Sequence, residues 1–78
     1  VALAGAIVSP YNRELHPGEA ALMRFFDYEH LPERLQSVSM PFAELAVHIV
    51  NSAAASAETT TALRKLLEAK DCAVRAAL

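Results

Sequence analysis

Leu35, Val38, Phe42, Leu45 and Ile49 follow one another at intervals of three, four, three and four residues. That repeat places all five side chains on one stripe of an α-helix, whereas a strand would need a period of two. Leu31-Pro32 precedes the stripe, and Glu33 stands where a carboxylate suits the start of a helix. The spacing predicts a helix over Pro32–Ser52. Pro41 falls inside it and would kink it, since proline removes one helical hydrogen bond at a cost of about 3 kcal/mol in isolation. Two shorter helices also fit this pattern.

A second stripe, Leu63, Leu66, Leu67, Ala73, Val74 and Ala77, predicts a helix from about Ala57 to near the last residue. Ser56 is a suitable N-cap and Glu58 stands in the first turn. Asn51–Ser56 supplies the reversal, and two helices joined by so short a loop pack antiparallel. Ahead of them, His16-Pro17 opens a short helix in which Leu22, Phe25 and Phe26 share a face. Val1–Pro10 is apolar, and a strand, a short helix or an arm reaching onto a neighbour all fit it. The expected fold class is all-α. An antiparallel helical hairpin with a short N-terminal helix occupies residues 17–78, behind an apolar arm and linker over residues 1–16.

Such a unit is short of core. Sixteen of the 78 residues are alanine, so the hydrophobic content of 54% overstates the area available for burial. Domains this small usually need disulfides, a metal or association. Cys72 is the only cysteine, which excludes an intrachain disulfide and a Cys-rich zinc site. His16, His30 and His48 lack ligand spacing, so neither metal nor other cofactor is expected. Phe25, Phe26 and Val1–Val8 find no partner inside two helices. Assembly of protomers into a homo-oligomer is the expectation.

The net charge of −2 gives no footprint for duplex nucleic acid. Residues 1–56 carry a net −3, while residues 57–78 carry a net +1, so a small anion would find its cations mainly at Arg64, Lys65, Lys70 and Arg75. The longest apolar run is far below the roughly 20 residues that span a bilayer. It lacks the basic flank of a signal peptide. A cytoplasmic protein without a membrane partner is expected.

Three segments, taken in order, carry a family resemblance. They are Phe26-Asp27-Tyr28-Glu29-His30-Leu31-Pro32, then Phe42-Ala43-Glu44-Leu45-Ala46, then Thr61 to Lys70 followed by Val74-Arg75-Ala76. Together, over roughly residues 26–76, they resemble the hairpin domain of phage cyclic-nucleotide sponges that counter CBASS and Thoeris immunity. The resemblance implies a non-catalytic protein that assembles, often as a hexamer. Such a protein sequesters cyclic di- or trinucleotides in the cytoplasm of an infected bacterial host. It also implies that Tyr28 stacks on a base. A phosphate-binding lysine of some members is matched by Ala43 here, and an arginine that serves trinucleotides by Thr59. Both are departures from the pattern.

The ligand-binding candidates are therefore Tyr28, Arg64, Lys65 and Lys70. Each has a plainer alternative. Tyr28 could pack its ring on Leu31 or Leu35, and Arg64 and Lys65 could line a solvated face within reach of Glu68. Lys70 interrupts the second apolar stripe, so it either snorkels to water or reaches a phosphate or a carboxylate of a neighbouring subunit. Asp71 and Arg75 are spaced for an i,i+4 pair. Cys72, among alanines and Val74, reads as a small buried hydrophobe, and His48 as a packed or interfacial residue. A Cys72–His48 nucleophile pair is conceivable. A small helical self-association module without a nucleotide ligand is the competing reading of the whole chain.

Overall fold

The computed structural model describes residues 9–78, so the Val1–Val8 run, expected to act as an arm or strand, lies outside the described residues. Every regular element among the described residues is helical: α1 (Pro17–Met23), one 3-10 turn (Arg24–Phe26), α2 (Glu33–Ser52) and α3 (Ala57–Ala76). No helix is long and apolar enough to cross a membrane among the described residues.

Local chemistry sets the helix starts. His16 Nδ1 accepts from the Gly18 amide at 3.0 Å, and Glu19 Oε1 accepts from the His16 amide at 2.9 Å. The two ends of the first turn thus cap each other, with Pro17 at the position where its missing N–H does no harm. Ser56 Oγ accepts from the Thr59 amide at 3.1 Å and caps α3. Thr59 Oγ1 donates to Ala54 O at 2.7 Å, which ties the loop to that same turn. α2 runs unbroken through Pro41. Proline leaves Ser37 O without its helical donor, but Ser37 and Pro41 are both exposed and water can take that carbonyl.

Met23, Phe26, Ala46, Val50 and Leu63 form the buried cluster, with Phe42, Ala43 and Leu67 packed against it. α2 therefore faces inward through Leu35, Ser39, Ala46 and Val50. That face is turned about a fifth of a helical turn from the stripe read from the sequence. Ala46 and Ser39 are fully buried because their small side chains let α3 come close, while Leu45 stays 46% exposed. The expected seam thus loses Leu45.

A similar correction applies to Phe25, which was expected to share a face with Leu22 and Phe26 but is 58% exposed. Within the 3-10 turn Phe26 is buried with Met23 in the core cluster, while Phe25 faces outward.

Ser39 Oγ is buried with no hydrogen-bond partner. An unsatisfied hydroxyl carries a desolvation penalty without a return. Ser39→Ala is therefore expected to be neutral or stabilising by up to about 1 kcal/mol, read from the denaturation midpoint. A clear loss of stability would mean that the hydroxyl has found a partner.

Ser9–His16 is irregular but well tied. Asn51 Oδ1 accepts from the Asn12 amide at 2.9 Å, Asn51 Nδ2 donates to Pro10 O at 3.0 Å, and Asn12 Nδ2 donates to Asn51 O at 3.2 Å. Arg13 grips both oxygens of the fully buried Glu19 carboxylate, Nη1 to Oε1 at 2.9 Å and Nη2 to Oε2 at 2.7 Å. Its Nε donates to Val50 O and Ala53 O, both at 3.1 Å. One guanidinium thereby joins the N-terminal segment, α1 and the end of α2. Along the other side, Arg34 Nη1 in the first turn of α2 donates to Ala77 O, just past α3, at 2.6 Å.

Candidate functional site

A cleft of about 300 Å³ opens between the Arg24–Leu31 segment and the last turns of α3. Gln36 at the start of α2 shapes that segment, since its Nε2 donates to Leu31 O at 2.9 Å and to Glu29 O at 3.2 Å. The Leu31 amide closes the turn on Tyr28 O at 3.0 Å. Arg24, His30, Lys70 and Arg75 line the cleft from the two sides. Asp27 and Asp71 accompany them, so the permanent charges leave a net +1. Phe25, Leu31 and Val74 supply apolar wall.

Lys70 is the most constrained of these groups. Its side chain is only 13% exposed, and Nζ lies 3.0 Å from Asp71 Oδ1. The carboxylate it meets belongs to its own chain. Asp71 is thereby engaged on Lys70, and Arg75 turns elsewhere: its Nη2 donates to Cys72 Sγ at 3.4 Å. The expected Asp71–Arg75 pair gives way to the shorter reach of the adjacent lysine. On the flank, burial first and the Asp27 carboxylate second push the Tyr11 phenol up, so Tyr11 stays protonated beside Asp27.

A second cleft of about 420 Å³ lies around the start of α3, lined by His16, Ser56, Thr60, Thr61 and Arg64 among others. His16 and Ser56 are occupied there in capping α1 and α3. Arg64 is its one permanent cation.

The four residues singled out from the sequence are not brought together. Lys70 lines the first cleft and Arg64 the second. Lys65 lies on the outer face of α3, 3.9 Å from Glu68, with side chains 70% and 60% exposed. An exposed pair of this kind contributes little. Tyr28 is half-buried in the turn beside the first cleft, between its wall residues Asp27 and His30, and lines neither cleft. Ala43 packs against the core cluster, and Thr59 is buried with its hydroxyl on Ala54 O. At both positions the chain uses its side chain to hold the fold.

One further expectation is corrected and another is narrowed. Cys72 is exposed, so it is not the small buried hydrophobe its neighbours suggested. His48 is exposed too, with Nε2 at 3.3 Å from Ser52 Oγ one turn on, which removes the packed reading and leaves the interfacial one standing. No cluster of three or more His, Cys, Asp and Glu side chains with metal-binding geometry occurs among the described residues.

Arg24, Phe25 and His30 complete the first cleft; none of the three was expected at a ligand site, although Phe25 was expected to lack a partner inside the hairpin. The 3-10 turn that carries Arg24 and Phe25 leaves no mark on hydrophobic spacing. Comparison with known protein families, with curated proteins and with solved structures finds no match to this chain.

Proposed function

We propose that the protein sequesters cyclic oligonucleotide immune signals without a catalytic step, acting in the cytoplasm of a phage-infected bacterium as an assembled sponge. The observation that carries this reading is the first cleft. It combines Arg24, Lys70 and Arg75 with apolar wall, beside the Tyr28 turn that the family resemblance marks out. Phosphodiesters need charge-assisted donors, and bases need flat apolar surface. The protomer is read as an antiparallel hairpin, which the Arg34–Ala77 bond supports, as does the shared burial of Val50 and Leu63.

The test is thermal unfolding with cyclic di- and trinucleotides. A ligand that binds only the folded state stabilises it by about 2.7 kcal/mol at a hundredfold excess over its dissociation constant. A shift with intact ligand recovered after denaturation supports the reading. No shift across the panel overturns it, and recovery of cleaved nucleotide replaces the sponge with an enzyme.

Charge in the cleft gives a sharper expectation. Asp71 neutralises Lys70 at 3.0 Å, so a phosphate must compete with it. Asp71→Asn is expected to tighten cyclic dinucleotide binding by roughly three- to tenfold at low salt, and by less as salt rises. Calorimetric titration at two salt concentrations checks both parts.

The competing reading, a self-association module without ligand, is favoured by Phe25, Met40 and Leu45, which are 58%, 38% and 46% exposed. An assembly whose stability ignores every nucleotide would support it.

A further inference from the structure

Resting on the nucleotide-binding reading, we infer that Phe25, rather than Tyr28, is the residue on which a base stacks in the first cleft. Phe25, Met40, Leu45 and Leu78 are the large apolar side chains left exposed among the described residues, and of these only Phe25 lines a cleft. Its ring lies outside the buried cluster, which Met23 and Phe26 join from the same stretch of chain. Lys70 and Arg75 line the same cleft from α3.

A nucleotide offers the matching pair of surfaces, a flat base and an anionic phosphate a sugar's length apart. A volume of about 300 Å³ is at the small end of ligand sites and suits one nucleoside phosphate unit. Tyr28 lacks this juxtaposition. It is half-buried and borders the cleft without lining it.

The experiment titrates the full chain, Phe25→Ala, Phe25→Tyr and Tyr28→Ala with cyclic di-AMP, cyclic di-GMP and cyclic tri-AMP. Ribose 5-phosphate, which has no base, is the control, and solution mass is recorded throughout. Phe25→Ala is expected to weaken the cyclic nucleotide that binds by about fivefold or more, the range set by base–aromatic stacking. Phe25→Tyr keeps the ring and is expected to stay within about twofold of the parent chain, as is Tyr28→Ala. All four chains should bind ribose 5-phosphate alike at unchanged mass.

Wild-type binding with Phe25→Ala unaffected, or with Tyr28→Ala as the damaging change, overturns the assignment while leaving the sponge intact. A Phe25→Ala chain that loses mass, or loses ribose 5-phosphate equally, places the ring in an interface and also overturns it. If the parent chain binds none of the cyclic nucleotides, the functional reading falls and this assignment falls with it.

Discussion

Arg13→Ala is expected to cost more stability than any other single truncation outside the core. The Glu19 carboxylate is fully buried and takes its hydrogen bonds from the Arg13 guanidinium and the His16 amide. Removing the guanidinium leaves a buried charge uncompensated, which costs about 3–5 kcal/mol. Val50 O and Ala53 O lose a donor at the same time. The pH dependence should also invert. The Arg13 hydrogen bonds, and then the His16 amide, hold the Glu19 carboxyl below its ordinary 4.5 against the opposing effect of burial. A depressed folded value means stability present above the unfolded value and lost as pH falls through the folded one, so the parent chain should weaken only on strong acidification. In Arg13→Ala burial is opposed only by the smaller pull of the His16 amide and raises the Glu19 carboxyl, so the variant should gain stability as pH falls from 7 to 5. Denaturation midpoints of both chains at the two pH values check this. A variant that loses under about 1 kcal/mol and keeps the parental pH profile would show that the pair is dispensable.

Nothing in the amino-acid order advertises that pair. Arg13 and Glu19 are six residues apart across an irregular stretch and a helix start, where no periodicity links side chains. Glu19 was legible only as an acid suited to a first turn, although its carboxylate also fastens the whole N-terminal segment. The helices themselves were legible because their causes are local: stripes at helical spacing, Ser56 before Thr59, and prolines at Pro17 and Pro32 where a helix can begin. The rotation of α2 was not. A stripe drawn through the largest apolar side chains puts Leu45 inside, but close approach of α3 selects Ala46 and Ser39, whose virtue is small size.

The cleft divides in the same manner. Lys70 was visible as a charge interrupting an apolar stripe, and it does line the cleft with its side chain mostly covered. The place of Arg24, Phe25 and His30 in the cleft was not legible, because they come from a tightened turn and the loop after it. Thr59 and Ala43 are both committed to the fold. A cation placed at either site would have to displace a core contact or the Thr59–Ala54 hydrogen bond.

Leu63→Ala is the second change expected to act strongly, and comparing it with Leu45→Ala tests how the chain solves its shortage of core. Leu63 is fully buried, on the second turn of α3 in the cluster with Met23, Phe26, Ala46 and Val50. Truncating a leucine in such a place removes its burial and leaves a cavity, together about 2–5 kcal/mol. Folded domains carry roughly 0.05–0.15 kcal/mol per residue, so this loss is a large fraction of what a chain of 78 can hold. Leu45 is 46% exposed within the protomer, and Leu45→Ala should cost about 1 kcal/mol or less there. That contrast holds only for a lone protomer. If copies associate through the Leu45 side of α2, the parent midpoint rises with protein concentration, because association stabilises by mass action. Leu45→Ala then becomes costly and flattens that dependence, while Leu63→Ala lowers the midpoint at every concentration without flattening it. A midpoint independent of concentration, with Leu45→Ala nearly neutral, would leave α2 with no partner across that face.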